Sequence, residues 1–158
     1  MIRYIGTIIF FLLNLSAFAQ QQNTVNWLSF EQLSDSLATK PKKVLLFFHT
    51  DWCAYCRKMQ KVIFTDPDVV NELNSNYYAV QFDAETVDTI HFDGQVVVNE
   101  SSKKRTGQYH NMAKLLAARD GKLSFPTTLI LASDFNVEQR FFQYVDRKKL
   151  MKALKNKP

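Results

Sequence analysis

The chain has two cysteines, Cys53 and Cys56, three residues apart at the point where an apolar run gives way to a helical pattern. The run is Val44-Leu45-Leu46-Phe47-Phe48-His49, short, apolar and of aromatic and β-branched character, which suits a buried strand. Beyond the cysteines, residues 57–64 carry Met59, Val62 and Ile63 at helical spacing. A strand that empties directly into a helix commits the chain to an α/β layer. It also sets Cys53 at a helix start, where unpaired backbone N–H groups and the positive end of the dipole favour a thiolate. Cys56 follows one turn later on the same face, within reach of its partner. A thiolate able to attack a disulfide, with a second thiol to resolve the mixed disulfide, is a redox centre.

Other uses of the pair fit less well. A structural disulfide closing so short a loop removes little entropy from the unfolded chain. A zinc site needs two more strong ligands, and His49, His91 and His110 do not stand at ligand spacing. No metal or bound cofactor is expected, only a redox-active Cys53–Cys56 disulfide. At 158 residues, with 46% hydrophobic and 22% charged residues, the chain suits one globular domain. Its net charge of +5 is spread out. The short basic groups Lys103-Lys104-Arg105 and Arg147-Lys148-Lys149 lack interleaved aromatics and belong on solvated faces, not against nucleic acid.

The first nineteen residues are distinct. Arg3 precedes an apolar stretch over 4–15, and Ala17-Phe18-Ala19 gives a small-residue cleavage pattern before Gln20. Asn14 interrupts the stretch, which is shorter than the roughly 20 residues of a spanning helix. The expectation is a signal peptide over 1–19 cleaved near Ala19. It leaves a domain over 20–158 that is periplasmic or secreted, monomeric and without stable membrane insertion.

Along the chain, residues 20–26 are polar and expected to be flexible. Ser29 and Gln32 form a capping box for a helix carrying Phe30, Leu33 and Leu37. Asp66 and Pro67 open another helix, with Val69, Val70 and Leu73 inward. A strand covers 77–82. Residues 89–92 and 95–98, joined by Asp93-Gly94, predict a β-hairpin with a type I′ turn, and 99–107 a polar, basic loop. This insertion either shapes substrate choice or decorates the sheet edge. A helix over 108–118 turns Met112, Leu115 and Leu116 inward and stops at Asp120-Gly121. Strands over 127–132 and 137–145, then a helix over 146–155 with Leu150, Met151 and Leu154, complete a mixed sheet with helices on both faces, an α/β fold.

His49-Thr50-Asp51-Trp52-Cys53-Ala54-Tyr55-Cys56-Arg57-Lys58-Met59 resembles the active-site segment of the thioredoxin superfamily. Its continuation into Phe64-Thr65-Asp66-Pro67-Asp68-Val69 is similar to thioredoxin-like periplasmic proteins and to the C-terminal domain of the membrane thiol:disulfide interchange protein. Phe125-Pro126-Thr127 matches that superfamily's cis-proline segment. The similarity runs over 44–154, apart from about 84–107. It implies the thioredoxin fold, with the hairpin inserted around 89–98, and a thiol–disulfide oxidoreductase acting on protein disulfides and recharged by an upstream redox partner.

Cys53, the more exposed sulfur, is the expected nucleophile, with a pKa modestly below the free value of about 8.5. Cys56 is the more buried resolving thiol. Arg57, Lys58 and Lys61 add positive charge near the helix start, and Asp51 opposes them. Trp52 is either a platform at the site's edge or a packing residue, and the Tyr55 hydroxyl either meets a thiolate or solvent. By resemblance, Pro126 follows a cis bond opposite the cysteines, and Phe125, Pro126 and Thr127 offer backbone to an extended substrate. Two departures stand out. Phe47 occupies the position of thioredoxin's buried acid, and Ala54-Tyr55 replaces both the Gly-Pro of thioredoxin and the x-His of strong oxidants. The missing histidine leans the enzyme toward reductant. His49 is a candidate base, or a structural strand-end residue. The rival reading is a thioredoxin-fold binding or holdase module without redox turnover.

Overall fold

The computed structural model describes residues 24–156. The expected signal peptide lies outside them. Five strands make one sheet: β1 (Trp27–Leu28), β2 (Lys43–His49), β3 (Tyr77–Asp83), β6 (Thr127–Leu131) and β7 (Val137–Phe141). A separate two-stranded sheet holds β4 (Ile90–Phe92) and β5 (Gln95–Val97). The large sheet runs β1-β3-β2-β6-β7, with β3 parallel to β1 and β2, and β6 antiparallel to β2 and β7. The central strand β2 is buried on both faces from Val44 to Phe48, as its unbroken apolar run requires.

Side chains alternate along β2, so the two faces build two cores. Val44, Leu46 and Phe48 join Phe30 and Leu33 of α1 (Phe30–Thr39) with Met112 and Ala113 of α4 (Asn111–Ala117). Leu45 and Phe47 join Cys53, Cys56 and the helices on the other face. Those are α2 (Ala54–Lys58) with its π-helical continuation Met59–Ile63, α3 (Pro67–Asn76) and α5 (Arg147–Lys155).

The expected helix signals are present. Gln32 N–H donates to the Ser29 hydroxyl and Ser29 N–H to the Gln32 side chain. Asp66 caps α3 with Pro67 at its first position. Asp93 and Gly94, both in the left-handed region (φ 50° and 70°), form the hairpin turn. At the chain's far end, the buried Tyr77 hydroxyl donates to the Leu154 carbonyl at 2.7 Å, and burial pushes its pKa up to about 12.

Several expectations are corrected. Residues 24–26 are anchored, not flexible: Asn26 N–H donates to the Asn74 side chain, which donates to the Thr24 carbonyl, and Val25 is buried. They lead into β1, an edge strand too short to announce itself. Val62 is 54% exposed, because the wider π turn rotates it away from the sheet while Met59 and Ile63 stay inside. Helix α4 begins at Asn111 and buries Met112, Ala113 and Ala117; Leu115 is 74% exposed. Asp120-Gly121 does not cap that helix but turns the chain between the bridged residues Arg119 and Lys122. Strand β7 ends at Phe141.

The cap of α4 is His110, a fully buried residue. Its Nδ1 accepts from Met112 N–H at 3.0 Å and its Nε2 lies 3.0 Å from the Asp88 carbonyl. Nδ1 must therefore be unprotonated, leaving Nε2–H as the donor. Burial holds the His110 pKa below its ordinary value, which is about 6.5 in an unfolded chain. The unfolded chain thus takes up the proton first, so this contribution to stability is intact above about pH 6.5 and is lost as pH falls below it. Thermal midpoints measured from pH 7.5 to 5 should fall. His110→Asn, which keeps a capping oxygen, should flatten its share of that fall, about 1 kcal/mol for a lost cap. An unchanged slope in the variant would contradict this.

Candidate active site

Strand β2 delivers the site. After His49 the chain turns through Thr50, Asp51 and Trp52, with Cys53 N–H donating to the Thr50 carbonyl at 3.2 Å. Cys53 is the N-cap of α2: its Sγ accepts from Cys56 N–H at 3.0 Å and its carbonyl from Arg57 N–H at 3.1 Å. Cys53 and Cys56 are joined by a disulfide, with S–S 2.00 Å and Cα atoms 5.2 Å apart. Cys56 is fully enclosed by the core, while Cys53 retains 4% exposure. The residual exposure on Cys53 alone gives a visiting sulfur its approach.

Aromatic side chains rim that approach. Trp52 is 50% exposed and Tyr55 62%. Trp52 stands edge-on to Phe125, ring centroids 6.2 Å apart, and Phe125 in turn meets Tyr109 at 5.4 Å. Tyr55 lies 6.0 Å from Tyr144, whose ring also carries the Lys58 ammonium at 5.0 Å. The Phe125–Pro126 peptide is cis. Pairing of Phe48 with Thr127 sets this segment beside the end of β2, at the same end of the sheet as the cysteines. Among the described residues nothing hydrogen-bonds the backbone N–H or C=O of Phe125. The expected residues Trp52, Tyr55, Phe125 and Pro126 thus stand at the same end of the sheet as Cys53. Thr127 differs: it is buried and its hydroxyl donates to the Ser124 carbonyl at 2.7 Å, so its side chain shapes the loop from within.

Two residues expected only in passing, or not at all, support this rim. Glu85 is buried, and its Oε1 accepts from Trp52 Nε1 at 3.0 Å and from Gly107 N–H at 2.6 Å. Lys104 Nζ reaches Asp51 at 2.5 Å and also pairs with Asp83. That contact holds the Asp51 carboxyl below its usual range and raises the Lys104 pKa. So Asp51 does not oppose the cysteines as a bare charge, and Lys104 is not simply solvated. No sequence signal links residues this far apart, and the first hint is only that 99–107 is basic. His49 stacks on Phe47, ring centroids 5.8 Å apart at 22°. Burial lowers its pKa, against the pull of Asp83 and Asp51. A largely neutral imidazole supplies no fixed positive charge to a sulfur.

Among the described residues, no group of three His, Cys, Asp or Glu side chains stands together as metal ligands. The arrangement can do thiol–disulfide exchange: a capped sulfur at a helix start, a partner sulfur behind it, and an apolar rim with free backbone beside it.

The sequence model of the thioredoxin-like domain family matches residues 30–157. The chain belongs to that family. A stretch of 42 residues of this thioredoxin-like protein is 40% identical to the thiol:disulfide interchange protein DsbD of Pectobacterium atrosepticum, covering 27% of the chain but 7% of that protein. A 48-residue stretch is 38% identical to the DsbD of Photorhabdus laumondii, covering 30% and 8%. The chain therefore corresponds to a small part of those relatives. Among solved structures, DsbH oxidoreductase superposes with a TM-score of 0.56 at 18% identity, over 84% of this chain and 83% of that one. A thioredoxin from Thermus thermophilus gives 0.57 at 20%, over 83% and 85%. A putative disulphide-isomerase from Bacteroides thetaiotaomicron gives 0.56 at 21%, over 84% and 91%. These likenesses establish the thioredoxin fold, and the Cys53–Cys56 pair within it points to a thiol–disulfide oxidoreductase.

Proposed function

We propose that the protein is a thiol–disulfide oxidoreductase that reduces protein disulfides. The observation that carries this is the Cys53–Cys56 disulfide at the start of α2, with Cys53 alone reaching solvent beside the unpaired backbone of Phe125. In the reduced enzyme the Cys53 thiolate attacks a substrate disulfide. A new S–S bond forms to one substrate sulfur and the other leaves as a thiolate. Cys56 then attacks Cys53 Sγ, closing the internal disulfide and expelling the second substrate thiolate, which takes up a proton. Two electrons have passed to the substrate. A dithiol partner, rather than a bound cofactor, returns them. Phe125 contributes backbone groups for an extended substrate segment to pair with, and Trp52 and Tyr55 pack against it. The likeness to DsbD supports an upstream redox partner of this kind and a periplasmic location.

What surrounds Cys53 supports the reducing direction. A strong oxidant stabilises its thiolate. Here the sulfur accepts from one backbone N–H, and among the described residues no cation is hydrogen-bonded to it: Arg57 donates to the Asp51 carbonyl, Lys58 lies over Tyr144, and Lys104 pairs with Asp51 and Asp83. No histidine lies between the cysteines. Equilibration with glutathione should give a potential nearer that of thioredoxin, about −270 mV, than that of DsbA, about −120 mV. The protein should accelerate insulin reduction by dithiothreitol. A potential above about −180 mV would reverse the direction assigned here.

A further inference from the structure

The limb 99–107, which follows the hairpin, returns to the mouth of the site and is fixed there. Lys104 bridges Asp51 and Asp83, and Gly107 shares Glu85 Oε1 with the Trp52 indole. Between these anchors and the hairpin, Asn99 Nδ2 donates to the carbonyls of Thr86 and Gln108, and Ser101 Oγ donates to the Lys103 carbonyl. The limb is a wall of the site, not a free tail. With Lys104 paired to Asp51 and Asp83, Lys103 and Arg105 on either side of it are exposed, with no ion pair among the described residues. On the far flank Lys58 lies exposed over Tyr144, which meets Tyr55, and Lys61 is exposed one turn further along. The acids at the mouth are already committed. Glu85 is buried under Trp52, Asp83 is mostly covered, and Asp51 is paired with Lys104.

We propose that this cationic flank selects protein disulfides set in acidic segments, with Lys103 and Arg105 as specificity-determining contacts. The proposal rests on the exchange reading above and adds the charge of the partner. Unpaired surface cations beside a reactive sulfur attract carboxylates during encounter and raise the rate of productive docking, an effect that salt screens. Nothing in the exchange chemistry changes; only the population of partners that reaches Cys53 does.

The test uses two cystine peptides identical except for glutamates or lysines flanking the disulfide. At low salt kcat/KM should favour the acidic peptide by about tenfold, and the ratio should approach one near 0.5 M salt, where the screening length is about 4 Å. Lys103→Glu with Arg105→Glu should invert the preference, and Lys103→Gln with Arg105→Gln should abolish it. Equal rates for the two peptides, or a preference unmoved in folded double variants, would overturn the proposal while leaving the exchange reading intact. Failure to reduce either peptide and also neutral hydroxyethyl disulfide would sink both.

Discussion

Replacing Cys56 with serine should turn a catalyst into a one-shot trap. Cys53 keeps its place at the helix start, its backbone donor from residue 56 and its approach past Trp52 and Tyr55. It should still attack a substrate disulfide, but with no second thiol the mixed disulfide persists. Incubation with oxidised protein substrates should yield covalent complexes, visible on non-reducing gels and released by dithiothreitol. Turnover should fall by at least about a thousandfold. Cys53→Ser should lose turnover equally and form no complex. Both variants also place a hydroxyl where sulfur was buried, at a cost of about 1–3 kcal/mol if it finds no partner, so thermal midpoints should accompany the gels. If Cys53→Ser matched wild type in insulin reduction, the cysteines would be incidental and the domain a binding module.

Trapping depends on the cysteines alone, and these were the most legible part of the chain. Local chemistry fixed β2, the Cys53 turn, the capping box at Ser29, the Asp66-Pro67 start and the Asp93-Gly94 hairpin, because each is decided within a few neighbouring residues. Contacts between distant segments were not legible in the same way. Leu115 has the right spacing for an inner face, yet Met112, Ala113 and Ala117 take that face. Helix α2 passes into a π turn without a proline to announce it, and Val62 swings outward. The ties from Lys104 to Asp51 and from Glu85 to Trp52 span 53 and 33 residues and carry no pattern in the chain. They also settle where the two parts of the insertion lie. The hairpin sits by α1, where His91 N–H donates to Glu31, while the limb after it reaches the redox centre. The residues that do the chemistry were visible because their spacing is local, and those that orient them were hidden because their partners are remote.

Phe47 is the clearest departure from thioredoxin, and its removal should be the most damaging core substitution near the site. It is fully buried on the cysteine-facing side of β2, edge-on to Phe64 at 4.8 Å, tilted to Trp27 at 6.5 Å and stacked under His49. Phe47→Ala would leave a cavity among rings that the paired strands on either side cannot close. The expected loss is about 3–5 kcal/mol, a large part of the 5–15 kcal/mol typical of a domain. The thermal midpoint should drop by about 10–20 °C. Phe47→Asp separates packing from charge. Its cross-strand partners are Thr128, whose buried hydroxyl has no hydrogen-bond partner of its own, and the half-buried Gln81, and its ring neighbours are Phe64, Trp27 and His49. A carboxylate there is poorly solvated, so its folded pKa should rise above the unfolded value of about 3.9. The folded state then binds the extra proton. Relative to Phe47→Ala, this variant should be less stable at pH 7 and should recover as pH falls through the raised pKa. That is opposite in sign to the acid loss expected from His110. Urea midpoints of the two variants at pH 7 and pH 5 decide it. An aspartate variant no more pH-sensitive than the alanine variant would mean that water or a polar partner reaches this layer, and that the chain could have kept an acid behind Cys56 at little cost.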